Sequence, residues 1–322
     1  SAYFQTKIFT GTGASNALVL GGNSVMQPDL VWIKNRDNAY SHGLFDAVRG
    51  TGLALFSDQT TAEYTSSSVT SFDTDGFTVG TDLTWNENTK NHVAWNWKAN
   101  ASAGFFIGTG TGTGGQVATN HDLGVTPNMV MWKARSGLSN WFVWSDTFAS
   151  LTDHTLFLNT TAATATTGYG SLYGTINSTS ASILTGGVTN GIDNGETFVM
   201  YAFANVEGYS EFGKYTGNGS ADGPFVNCGF RPAFILSKNT ATTVNWRIHD
   251  NARTPGNIST SNTLFPDTTA AEGTTEPIDF LSNGFKIRVN NTALNGSGNT
   301  IIYAAFAEHP FGGAGVSQAR AR

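Results

Sequence analysis

The sequence predicts an all-β protein of three tandem β-sandwich-like repeats of about 100 residues, joined by short connections. Three observations carry this: the composition, the missing helical signal, and one pattern that comes back twice. Of 322 residues, 38 are Gly, 44 Thr and 29 Asn, and 12% are charged. Gly and Asn accept turn conformations and Thr suits a pleated surface, so this mixture favours strands joined by turns. No long apolar stripe of helical period occurs. Apolar content of 39% with 22 Phe is enough to build real cores.

The recurring pattern is clearest in "QPDLVWIKNR" at 27, "TPNMVMWKAR" at 126 and "RPAFILSKNT" at 231. Each has a proline, one residue, four mostly apolar residues, and a lysine six positions after the proline: Lys34, Lys133 and Lys238. Gly/Thr stretches precede each copy ("FTGTG", "GTGTG", "YTGNG"), and an Asp follows 18, 19 and 18 residues past the proline: Asp46, Asp146 and Asp250. The boundaries that follow are 1–100 for the first repeat, 101–208 for a divergent second, 209–311 for the third, and 312–322 for a tail.

Taken in order, the elements of a repeat have distinct signatures. The "PDLVWIK" run is apolar on both faces and predicts a central, doubly covered strand. "SFDTDGFTVG" and "DFLSNGFKIR" predict hairpins at Asp75-Gly76 and Asn283-Gly284, with "SILTGGVTNG" as the drifted middle counterpart. The closing strands are "VAWNWKA", "VMYAFAN" and "IYAAFAE". In the first, Val93, Trp95 and Trp97 share one face, and Ala94, Asn96 and Lys98 the other. Short joints near 99–104 and 204–209 predict repeats that abut. The tail "GGAGVSQARAR" is Gly-rich and basic, with Arg320 and Arg322 as a frayed end or a docking element.

A net charge of −6 without a basic stripe argues against a nucleic-acid binder. No apolar run is long enough for membrane insertion by a helix. The N-terminus lacks a secretion-signal pattern, and a start at Ser1 is what removal of an initiator Met leaves. The single cysteine, Cys228, rules out an internal disulfide and a Cys-based zinc cluster.

The chemical candidates are weighed against the repetition. Lys34, Arg36, His42, Asp46 and Arg49 crowd one stretch, but an enzyme rarely carries its active site three times half retained. Arg49 and Arg253 follow their Asp by three residues, whereas the middle copy has Ala149 there. An Asp capping a turn or pairing with Arg is the expected role. "GTGTGTGG" contains G-x-G-x-x-G, yet no helix start follows it, so a hairpin is expected. Asp73 and Asp75 lack the partner ligands of a calcium loop. The six histidines form no metal-binding pair, and no serine-hydrolase elbow occurs. No catalytic residue, metal ligand or cofactor is expected. Eight tryptophans raise sugar stacking; Trp85, Trp141 and Trp144 lie nearest to loops and are the candidate glycan contacts, although core packing is the expected role even there.

The strings "PDLVWIKNR", "SHGLFDAVRG", "TSFDTDGFTVG", "FANVEGYSEFGKYTGNGSADGPFVNCGFRPAFILSK", "DNARTPGN", "IDFLSNGFKIR" and "IIYAAFAEHPF" resemble an uncharacterised repeat family of virion and tail-associated proteins from marine tailed bacteriophages. The resemblance covers residues 4–311, is strongest in the first and third repeats, and carries over no site residue. It implies a non-enzymatic virion structural protein on the particle surface, as a tail or fibre component or a capsid decoration. The alternative is a host-surface glycan-binding adhesin. The implied partners are other virion proteins and further copies of the chain, as a trimer or as symmetric copies on the particle. Assembly would occur in the host bacterial cytoplasm.

Overall fold

The computed structural model describes residues 2–166, 168–274 and 276–307. The fold is all-β, with antiparallel sheets that share one layout in three successive segments.

In the first segment the strands are β1 (Phe4–Thr10), β2 (Asn16–Val19), β3 (Leu30–Asn35), β4 (Gly43–Asp46), β5 (Leu53–Phe56), β6 (Tyr64–Thr65), β7 (Val69–Asp73), β8 (Gly76–Val79) and β9 (Asn91–Trp97). They form one sheet of order β1-β9-β3-β4-β5-β6 and a smaller one of order β2-β8-β7. The second segment contains β10 (Phe105–Thr111), β11 (Gln116–Asn120), β12 (Met129–Ala134), β13 (Phe142–Ser145), β14 (Leu156–Phe157), β15 (Tyr173–Ile176), β16 (Ser180–Leu184) and β17 (Thr197–Phe203). Its sheets run β10-β17-β12-β13-β14 and β11-β16-β15. The third contains β18 (Ser210–Thr216), β19 (Phe225–Asn227), β20 (Phe234–Asn239), β21 (Arg247–Asp250), β22 (Ile278–Leu281), β23 (Gly284–Ile287) and β24 (Thr300–Phe306), in sheets β18-β24-β20-β21 and β19-β23-β22. Each time, the opening strand of the large sheet pairs with the closing one. Short helices at Leu83–Asn86 and Thr292–Asn295 precede the closing strand in the first and third segments. Among the described residues no helix is long and apolar enough to cross a membrane.

The proline-anchored runs are the central strands β3, β12 and β20, buried along their whole length. Their two faces feed different cores. Val31 and Ile33 point into the sandwich of the first segment, whereas Leu30 and Trp32 join a core shared by all three segments. Met129 and Met131, and Phe234 and Leu236, are their counterparts in that shared core. Four apolar clusters result, one inside each sandwich and one between them. Rings from different segments meet in the shared core, as Trp97 and Phe306 do at 5.6 Å and Phe203 and Phe306 at 5.9 Å. Aromatic side chains dominate core energetics, so this cluster ties the segments into one body.

The closing strand alternates as expected, but its second face is buried as well. Val93, Trp95 and Trp97 face the shared core, but Ala94 enters the sandwich core and Asn96 is fully buried. Asn96 Nδ2 donates to Gln5 O and Ala94 O, both at 3.0 Å. A sheet packed on both faces leaves no solvent face for a polar residue to occupy.

The hairpins of β7–β8 and β22–β23 lie where the Asp-Gly and Asn-Gly pairs put them. Gly76 has φ +142°, and a Cβ there would sit 1.9 Å from Leu18 O. The middle hairpin is β15–β16, so "SILTGGVTNG" covers its second strand and the turn beyond it rather than a whole hairpin. "GTGTGTGG" completes β10 and turns into β11, with no helix at its end.

Candidate functional site

The strand registers define equivalent positions across the segments. Leu30 pairs with Asp46, Met129 with Ser145, and Phe234 with Asp250. The counterpart of Asp46 and Asp250 is therefore Ser145 and not Asp146, which is exposed and bonded to Asn128 Nδ2 at 2.6 Å. A shift of one residue in a strand moves a side chain to the opposite face, which is why Asp146 cannot stand in.

Asp46 and Arg49 form an ion pair with both side chains fully buried (2.5 Å). The Asp46 carboxylate also accepts from Arg49 N (2.8 Å) and from Tyr201 Oη of the second segment (2.6 Å). Arg49 donates further to Leu44 O, Leu53 O and Glu63, and Glu63 in turn binds Arg135 of the second segment at 2.9 Å. The seam between the third and first segments repeats this. Asp250 pairs with Arg253 at 2.5 Å and accepts from Trp95 Nε1 at 2.9 Å; Arg253 binds Glu272 at 2.7 Å, and Glu272 binds Arg36 at 2.6 Å. The Arg253 guanidinium also lies over the Trp95 ring. Each series of two acids and two arginines is neutral and densely hydrogen-bonded, which offsets the cost of burying charge.

Other contacts recur at the same seams. Trp141 Nε1 donates to Phe56 O (2.8 Å), and Trp246 Nε1 to Phe157 O (2.9 Å). His42, at the same register position, faces the Phe265 backbone and accepts from Trp32 Nε1 at 3.1 Å. Burial holds its pKa well below the usual imidazole value, so it is neutral. The three recurring lysines are also buried. Lys133 Nζ reaches Thr60 O of the first segment (3.0 Å), and Lys238 Nζ reaches Thr161 O of the second (3.3 Å). Desolvation lowers Lys34 and Lys238 to about 8 and Lys133 to about 7.

The seam between the second and third segments keeps the backbone and loses the charges. Glu63 N donates to Arg135 O, Glu272 N to Arg36 O, and Thr164 N to Thr240 O, at 2.7, 2.9 and 2.9 Å. The four charged positions are here Ser145, Phe148, Thr164 and Thr240. A cleft of about 270 Å³ opens at this place, with Phe148, Thr164, Thr240 and Lys214 in its wall.

The tryptophans expected near loops are inside the protein. Trp85, Trp141 and Trp144 are 1%, 0% and 3% exposed, and their indoles donate to Ser41 O, Phe56 O and Leu151 O. Chain from other parts of the fold covers them, so they offer no face to a sugar. Arg320 and Arg322 lie outside the described residues. Asp73 accepts from Thr78 within its own hairpin, and Asp75 accepts from Met26 N, tying the hairpin to the connection before β3. Among the described residues no group of three or more His, Cys, Asp or Glu is placed to hold a metal ion. Cys228 is buried, and its thiol is pushed up to about 12 by desolvation.

Glu63, Glu272, Tyr201 and Arg135 gave no signal by residue type, and Arg36 stood out only as one of a crowded stretch, without its partner. A signal for the arginines existed: "KNR", "KAR" and "KNT" end the three proline runs, with the arginines eight positions after Pro28 and Pro127 and Thr240 at the same offset from Pro232.

No curated protein and no solved structure shows significant similarity to the chain. A family model does match it, over residues 1–310, and the chain belongs to that family, described as a domain of unknown function, DUF7483.

Proposed function

We propose that the protein is a non-enzymatic structural component of the surface of a tailed-bacteriophage particle, a tail or fibre piece or a capsid decoration. In this reading the chain is three copies of one unit, 1–100, 101–208 and 209–311, and it works without a cofactor. The observation that carries it is the fate of the recurring charged residues. Lys34, Lys133, Lys238, Asp46, Asp250, Arg49 and Arg253 are all buried and committed to neighbours, most of them at seams between segments. Groups used this way hold a body together and are closed to substrate. The resemblance to virion and tail-associated proteins supplies the context. Partners are other virion proteins and further copies of the chain at symmetric positions, where repetition adds avidity. Mass spectrometry of purified particles of a phage encoding the chain should find it in many copies per particle. Its absence from particles, with the protein abundant in the infected cell, sinks the proposal. The unfilled seam favours a second reading, a surface protein that also holds a host-surface glycan.

A further inference from the structure

We propose that the cleft between the second and third segments is a binding site for a single sugar residue carrying a carboxylate, of the uronic acid type. This rests on the second reading above, that the unfilled seam holds a glycan, and names the class of sugar; membership of a phage particle does not enter.

The cleft is a consequence of substitution at positions whose backbone is retained. At the other two seams the equivalent space is taken by two arginines and two acids in contact with one another. Here the same four positions carry a serine, a phenylalanine and two threonines. Shorter side chains leave about 270 Å³ lined by both segments. That lies just under the roughly 300 Å³ at which pockets for drug-sized ligands begin, so one ring fits and a longer chain must extend outward.

The lining specifies the ligand. Thr164, Thr166, Thr240 and Thr300 stand in the cleft wall, and a threonine hydroxyl both donates and accepts. Thr240 Oγ1 donates to Thr300 O at 3.0 Å and keeps its lone pairs. Thr164 Oγ1 is buried without a hydrogen-bond partner, so a turn of that side chain toward a ligand hydroxyl gains a bond and breaks none. Phe148 supplies an apolar surface of the kind that covers the C–H face of a sugar ring. Lys214 is the cation in the wall, an exposed side chain whose Nζ donates to Thr147 O at 3.1 Å and keeps two further protons to give, with Asp146 near enough to feel its charge. His154 is already turned to Asp153, at 3.0 Å. One ammonium suits one carboxylate, whereas phosphate recognition calls for arginine forks or a nest of backbone N–H groups.

The test uses the full chain with sodium glucuronate and galacturonate as probes, read by saturation-transfer NMR and calorimetry, with glucose and inorganic phosphate as controls. Saturable uronate binding is expected, weakened roughly tenfold in Lys214→Met by loss of a charge-assisted hydrogen bond. A fourfold variant, Ser145→Asp, Phe148→Arg, Thr164→Glu and Thr240→Arg, rebuilds the charged seam and should abolish binding while keeping the melting temperature at or above that of the parent. Thr166→Trp, at the exposed rim, blocks the cleft without touching the seam and should also abolish it. The proposal is overturned if neither uronate binds the parent, if phosphate displaces uronate at equal concentration, or if folded Thr166→Trp binds as the parent does.

Discussion

Replacing Asp46 by Ala tests whether the buried charges are scaffold. The carboxylate is fully buried and takes three donors: Arg49 N, Arg49 Nε and Tyr201 Oη. Its removal strands Tyr201 Oη and the Arg49 backbone N–H, and leaves the guanidinium with Glu63 at 2.8 Å as its remaining acid. Removing one partner of a buried ion pair costs about 3–5 kcal/mol, and the surviving Glu63 contact places the loss near about 3. The double change Asp46→Ser with Arg49→Phe copies the uncharged seam and removes both charges together. Contacting residues couple by about 0.5–3 kcal/mol, so the double variant should lose less than the sum of its single changes. Asp146→Ala is the control: an exposed carboxylate whose loss should stay within about 0.5 kcal/mol. Urea unfolding followed by tryptophan fluorescence reads all of these, since Trp95 and Trp141 sit in the shared core. The reasoning is refuted if Asp46→Ala costs under about 1 kcal/mol, or if Asp146→Ala costs as much as Asp46→Ala.

Three further outcomes follow from the same contacts. Tyr201→Phe removes the hydroxyl donated to Asp46 and should cost about 1.5–3 kcal/mol, as for a hydrogen bond to a charged group, measured by the same unfolding curves. His92 and His249 are lowered by burial to about 4 and about 3, below the unfolded value of 6.5, so the unfolded chain binds more protons in that interval. Stability should therefore fall as pH drops from 6.5 toward 4, by up to about 1.4 kcal/mol per pH unit for each histidine, and a flat melting profile over that range would refute this. Lys133, lowered by burial to about 7, and Lys34 and Lys238, lowered to about 8, all from 10.5, act on the alkaline side: stability should rise from pH 7 toward 10, and Lys133→Met should make that rise shallower without removing it.

Much of the fold was legible in the sequence because strand pairing leaves a local trace. The proline runs announce β3, β12 and β20, since a strand covered on both faces needs continuous apolar residues. The Asp75-Gly76 turn is equally local. The seams were not legible in the same way, because a seam joins residues far apart in the chain; Asp46 and Tyr201 are separated by 155 positions. Trp141 looks loop-adjacent beside "SGLSN", yet the Phe56 carbonyl that covers its indole comes from another segment. The misplaced Asp146 has a different cause. Residue type suggested the match, whereas the offset from the proline (28 to 46, 127 to 145, 232 to 250) selects Ser145, as the pairing does. The wall of the cleft was invisible for a further reason: it is made by ordinary residues standing where charged ones stand elsewhere.

The covalent continuity of the three segments has a consequence for stoichiometry. Three separate identical chains closing a ring must repeat every contact, so a substitution that opens one boundary opens all of them and the ring loses its locks together. Within a single polypeptide each boundary varies on its own. Two can stay clamped by arginine while the third is hollowed out, with the retained clamps and the shared aromatic core bearing the loss. Such a body presents this seam recess once per molecule, at a fixed angle to its two clamped seams. Any multivalent grip must then come from arraying whole molecules, which makes the spacing between neighbours on a surface, and not the interior of any one of them, the variable that sets how strongly a partner is held.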